Sequence, residues 1–186
     1  MVSALMGLIA AARGYSLGER SLEGWDAARY GLAYLVGFAL LAFFEEFSFR
    51  GYLQTTLTSG IGFWPAAIAV SIFFGAIHLD NAGETNVGMF TAACFGLVAA
   101  FSLARTRGIW LGIGMHVAWD WALTYLYSVP DSGIPATGHL MSSSLHGPRW
   151  LTGGPAGPEG SVFAFVILAL AAVVIHCLFP AKRKTP

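Results

Sequence analysis

The sequence predicts an all-α protein, a polytopic transmembrane bundle of about five to six membrane helices. Three observations carry this reading. Of the 186 residues, 56% are hydrophobic and only 11% are charged, and mean hydropathy is +0.65; a soluble domain carries about 25% charged residues. Long windows contain no Lys, Arg, Asp or Glu, and several are the length of a membrane span. The ionisable residues that do interrupt apolar sequence are few and fall in short groups at helical spacing.

The elements follow in order. Met1 to Ala12 is apolar but too short to span, and no basic stretch precedes it as in a signal peptide. It reads as the tail of a helix or an interfacial segment. Arg13 to Arg29 is a linker of mixed charge, so residues 1–29 form the first division of the chain. Tyr30 to Phe44 is uncharged and runs into Glu45-Glu46, whereas Gly51 to Leu79 is uncharged for 29 residues, Asn86 to Ala104 for 19 and Gly160 to Ala181 for 22. Gly108 to Pro130 is broken only by Asp120. A span needs about 20 mostly apolar residues and must be helical, because lipid offers an open backbone no partner. Helices are therefore expected near 28–57, 62–79, 87–104, 109–127 and 161–179, within a membrane domain over 30–179.

Between Ser128 and Gly160 stand five prolines and seven glycines, a density that predicts a loop without helix over 128–160. Trp64, Trp110, Trp150, Tyr125 and Tyr127 lie near span ends, where aromatic belts form. The tail, 180–186, is basic. If the helices alternate, Arg50, Arg105, Arg107 and the Lys182-Arg183-Lys184 cluster share one side, against Arg13, Arg20, Arg29 and Arg149 on the other. That bias places the C-terminus in the cytoplasm.

Composition also excludes classes. Ten Lys/Arg balance ten Asp/Glu, so no basic field exists to hold a nucleic acid. Cys94 and Cys177 sit in apolar runs, unlike a disulfide framework or a CxxC motif.

Ionisable groups in spans are expensive and mark function by default. Here they are Glu45, Glu46, Arg50, His78, His116 and Asp120. Glu46 and Arg50 are i,i+4 neighbours and are expected to form a structural ion pair. Glu45 points about 100° away from Glu46, lacks that partner and suits a general base. His116 and Asp120 are also i,i+4, so Asp120 is placed to orient the imidazole or to share a metal with it. His78 adds an imidazole from a third helix. The set Glu45, His78, His116 and Asp120 is thus the candidate catalytic centre, and equally a candidate ligand set for a divalent metal such as zinc. Glu45 and His78 reach the same depth only if the first helix is long, with Glu45 near its middle. His139 and His146 are expected to be solvated in the loop, and His176 is assigned no role.

The three motifs, Glu-Glu-x-x-x-Arg at 45–50, Phe-x-x-x-His at 74–78 and His-x-x-x-Asp at 116–120, resemble the signature of the CAAX prenyl endopeptidase type II and bacteriocin-processing family of intramembrane proteases, also called the Abi family. The resemblance covers roughly residues 30 to 127. It implies a helical membrane fold with a catalytic cavity, and hydrolysis of a peptide bond by water that Glu45 and His78 activate. His116 and the residue at 120 would stabilise the oxyanion. The family's third motif often ends in Asn; Asp120 can donate to an oxyanion only when protonated, which favours orienting His116 or ligating a metal. The resemblance leaves open whether the enzyme is metal-dependent or a metal-free glutamate protease. It further implies a peptide or protein substrate, prenylated or membrane-bound, and a multi-pass protein of the plasma (inner) membrane of a prokaryote. Two other classes use the same residues differently: a non-catalytic immunity or scaffold protein of this fold, and a proton-coupled transporter.

Overall fold

The computed structural model describes residues 1–180; the basic tail expected to report orientation lies outside them. Among the described residues the chain is helical apart from turns and one two-residue pair of strands. Helix α1 (Val2–Ala11) buries Val2, Leu5, Met6 and Ile9, the i, i+3, i+4, i+7 positions of one face, and packs on the last helix. Helix α2 (Gly24–Glu46) runs without interruption through a π-helical stretch, Phe47–Gln54, into α3 (Thr55–Ile61), giving 38 continuous residues. At 1.5 Å per residue it is about 57 Å long, close to twice the about 30 Å of a bilayer core, so it must tilt or project beyond the lipid. Glu45 falls near its middle.

Gly62, at φ +83°, ends α3 and turns the chain into α4 (Phe63–Ile77), which closes in a 3-10 turn, His78–Asp80. Helix α5 (Asn86–Thr106) starts where the Thr85 hydroxyl accepts from the Gly88 amide at 3.1 Å. Gly75 lets α4 and α5 touch: a Cβ there would lie 2.5 Å from the Met89 carbonyl. Helix α6 (Trp110–Trp121) unwinds into a second π-helical stretch, Ala122–Leu126. It is drawn against α2 by two bonds, from Trp121 Nε1 to the Gly31 carbonyl at 2.9 Å and from Tyr125 Oη to that of Ala27 at 2.6 Å. Tyr125 is therefore core, 6% exposed, and not the belt residue its position near a span end suggests. Trp64, Trp110 and Trp150 are exposed.

Among the described residues three helical stretches are long and apolar enough to cross a membrane: Gly24–Ile61, Phe63–Asp80 and Asn86–Thr106. The other two expected spans form shorter helices, α6 and α8 (Val162–Leu178). Large apolar side chains face outward along these elements, among them Leu32, Leu40, Phe44 and Ile72, as an integral membrane protein requires.

The loop differs from expectation. It contains a one-turn helix, α7 (Arg149–Thr152), two 3-10 turns, Gly154–Ala156 and Pro158–Gly160, and strand β2 (Ser144–Leu145). Strand β2 pairs antiparallel with β1 (Tyr15–Ser16) from the N-terminal linker. The dense prolines and glycines limit helix here to one turn: Gly153 at φ +82° ends α7, and a Cβ there would strike the Gly157 carbonyl at 1.5 Å.

Candidate active site

The acidic pair sits where α2 loosens into its π-helical stretch, a distortion common at functional sites. Glu46 and Arg50 point inward and are each 1% exposed; Arg50 Nη1 lies 3.2 Å from Glu46 Oε1. The guanidinium stacks 4.3 Å from the centre of the Phe74 ring. Two glycines make room: a Cβ at Gly96 would lie 2.6 Å from Arg50 Nη2, and one at Gly112 would lie 3.1 Å from Glu46 Oε2. The nitrogens of Arg50, the Gln54 amide and the Ser71 hydroxyl are buried without hydrogen-bond partners in the protein.

Glu46 does more than pair. Its Oε1 also lies 3.2 Å from His116 Nδ1, which donates to it. The sequence suggested Asp120 as the group that orients His116; the structure places Glu46 on Nδ1, and Asp120 Oδ2 lies 3.6 Å from the other nitrogen, Nε2. Glu45 Oε2 is also 3.6 Å from Nε2. A helix cannot turn neighbouring residues to one face, yet Glu45 and Glu46 reach opposite nitrogens of one imidazole because the ring lies between them. At 3.6 Å neither Nε2 contact is a direct hydrogen bond. Phe74 and Phe95 wall the ring, with centroids 6.0 and 5.1 Å away.

His78 enters from the end of α4. Its Nδ1 donates to the Phe74 carbonyl at 2.7 Å, so in the neutral ring Nε2 keeps its lone pair. Glu45, His78, His116 and Asp120 all line one cavity of about 150 Å³, together with Leu41, Ile77, Asn81, Asp131 and Ser132. At about 30 Å³ per water, the space holds several. The depth problem is resolved as the sequence required: the 38-residue helix carries Glu45 at mid-length to the level of His78.

Asp131, Ser132 and Glu159 were not legible as site residues. The sequence places them in a segment read as loop, where no periodicity assigns a side chain to a face. The structure folds that segment back against α6. Glu159 is 7% exposed; its Oε1 accepts from Trp119 Nε1 at 2.8 Å and its Oε2 from the Ser132 hydroxyl at 2.9 Å and the Ser132 amide. Burial and the Glu159 charge raise the Asp131 carboxyl well above the usual carboxylate range. The one signal in the sequence was an acid flanked by Gly157, Pro158 and Gly160, directly before an apolar span. His146 is an exposed loop residue, bonded to Ser16 and Ser144.

A tetrahedral zinc takes nitrogen and oxygen ligands at about 2.0–2.2 Å. Among the described residues no three His, Cys, Asp or Glu side chains form a group able to hold a metal. The arrangement offers a histidine held by carboxylates rather than a ready ligand set.

Comparison with known proteins matches this frame. The model of the type II CAAX prenyl endopeptidase Rce1-like family matches residues 28–122, just over half the chain. The chain belongs to this family. All three motifs lie inside the matched segment. Among curated proteins, lysostaphin resistance protein A of Staphylococcus haemolyticus is 29% identical over 120 residues, covering 60% of this chain and 30% of that protein. Its namesake from Staphylococcus aureus is 24% identical over 99 residues, covering 50% and 24%. The chain thus spans less than a third of either relative. No solved structure gives a significant match.

Proposed function

We propose that the protein is an intramembrane endopeptidase of the CAAX-protease type, with its centre at Glu45, His78, His116 and Asp120. The observation that carries the reading is their convergence on one polar cavity inside an apolar bundle. A water held between Glu45 and the free Nε2 of His78 loses a proton to Glu45 as its oxygen attacks a peptide carbonyl; collapse of the tetrahedral intermediate breaks the C–N bond, and the proton on Glu45 passes to the leaving amine. His116, held at Nδ1 by Glu46, turns Nε2 toward the developing oxyanion and supplies an N–H there in the imidazolium form. Asp120 lies across Nε2 and steadies it. Arg50 balances Glu46, so that the carboxylate can hold both partners while buried.

The substrate is a peptide or protein that reaches the cavity from the membrane, prenylated or otherwise anchored. The site opens toward the cytoplasmic half of a prokaryotic inner membrane; of this, the bacterial relatives support the prokaryotic setting. The experiment is cleavage of a membrane-anchored peptide by the purified protein in liposomes. Expected are turnover by wild type, persistence after thorough chelation, and loss in His78→Ala. Activity that a chelator abolishes and zinc restores would replace the water-activation scheme with a metal-based one.

The name of the relatives supports a second reading, a membrane protein that confers resistance by binding a partner. Such a role requires the fold but not Glu45. Full resistance-type activity in Glu45→Gln, without detectable peptidase activity in wild type, would favour it.

A further inference from the structure

We propose that Glu159 is a positioning residue, the centre of a hydrogen-bonded brace that sets the spacing between the two histidine-bearing elements. The proposal rests on the endopeptidase reading above and adds to it a part of the chain outside the family-matched segment.

The brace can be followed bond by bond. The 3-10 turn that carries His78 is closed by Asn81, whose backbone amide donates to the His78 carbonyl at 3.0 Å. The Asn81 side chain reaches across to the loop, Nδ2 donating to the Ser132 carbonyl at 2.9 Å. The Ser132 amide and hydroxyl both donate to Glu159 Oε2, and Glu159 Oε1 takes the Trp119 indole N–H at 2.8 Å. Trp119 is 3% exposed and lies between His116 and Asp120 on α6. One carboxylate therefore joins the end of α4 to the catalytic turn of α6, across residues that line the cavity.

The local backbone is held to suit. Asp131 and Ile134 bracket a tight turn, the Ile134 amide donating to the Asp131 carbonyl at 2.8 Å. Its two central residues, Ser132 and Gly133, have φ +45° and +75°. Glycine adopts such angles freely; a serine there is strained, and such a conformation persists only where its surroundings impose it. Here the imposing groups are Glu159 and Asn81. A loop free of the site would have no reason to place a buried carboxylate, an indole and a strained serine on one line.

Chemistry makes the role separable from packing. Glu159 receives three donors on two acceptor oxygens. Glu159→Gln keeps shape and volume but offers one acceptor oxygen, so its NH2 must face a donor at either Trp119 or Ser132. The brace opens at one end while the core stays filled. Near-attack geometry is sensitive: a misplacement of about 1 Å costs on the order of 100-fold.

The test uses the full chain in detergent or liposomes and two readouts. Hydrogen exchange is followed over residues 128–140 and over α5, and steady-state cleavage of a membrane-anchored peptide is measured alongside. In Glu159→Gln the loop is expected to lose protection while α5 keeps it, and kcat to fall about 10- to 100-fold with KM within about twofold. Ser132→Ala, which removes one donor and leaves the amide, should give the same pattern at smaller amplitude. Unchanged exchange over 128–140, or lost protection with kcat unaffected, overturns the proposal; so does a uniform loss of protection in Ser132→Ala, which would make the contact structural only. Wild-type protein that cleaves nothing sinks the endopeptidase reading and the catalytic role assigned here, while the exchange result still reports on the brace by itself.

Discussion

The segment that carries the three motifs and the loop that follows it build the same cavity by different means. In the first, Glu45, His78, His116 and Asp120 stand on regular helix or at its end, and apolar walls such as Phe74 and Phe95 fix their directions. In the second, Asp131 and Ser132 reach the cavity from a turn, Glu159 holds Ser132 and Trp119 beside it, and each is fixed by hydrogen bonds instead. Helix-borne groups tolerate the loss of one bond, because the backbone still aims them. Loop-borne groups depend on every bond they make. The helical part should thus respond to substitution through buried charge and volume, and the loop part through local opening.

The largest effect is expected at the buried pair. Arg50→Ala leaves Glu46 uncompensated at 1% exposure, which costs about 3–5 kcal/mol when one partner of a buried pair is removed. Chemical or thermal unfolding in detergent measures it; a near-wild-type midpoint would mean that the pair is hydrated. Next comes Gly96→Ala. Its methyl group would sit 2.6 Å from Arg50 Nη2 and 3.0 Å from Ser71 Oγ, and overpacking of this kind costs about 1–3 kcal/mol. The loss should be much smaller in the Arg50→Ala background, where the clashing group is gone, and a double-mutant cycle reads that coupling directly.

The smallest effect falls within the motif-bearing segment, between its second and third motifs, and is read by pH. Burial pushes the Glu84 carboxyl up to about 6, in the turn between α4 and α5. The folded state then holds its proton more tightly than the unfolded chain, so this contribution to stability is present at low pH. It is lost as pH rises through about 6. Glu84→Gln should flatten the stability profile between about pH 4.5 and 6. A profile unchanged by Glu84→Gln would place the carboxyl in water.

The same contrast explains what the sequence made legible. Helical spacing alone brought Glu46 to Arg50 and set His116 one turn from Asp120, and uncharged windows located the helices. Spacing cannot tell which helix face meets which neighbour, so the bond from His116 Nδ1 to Glu46 was missed and Asp120 was given its place. Tyr125 was read as a belt residue because its bond to Ala27 is nearly a hundred positions away in sequence. The loop was opaque for a simpler reason: its helix, turns and strand are set by glycines at positive φ and by pairing with Tyr15–Ser16. No periodic pattern records either.

The most direct measurement is the cleavage rate of a membrane-anchored peptide by wild type and by Glu45→Gln, purified and reconstituted side by side. The substitution keeps size and hydrogen bonding, leaves the Glu46–Arg50 pair intact and removes only the base. Loss of general-base assistance costs about 10²–10⁴-fold in rate, and a fall of that size with an unchanged unfolding midpoint is the predicted result. Equal cleavage by the two proteins would contradict the assignment of Glu45 as the group that activates water.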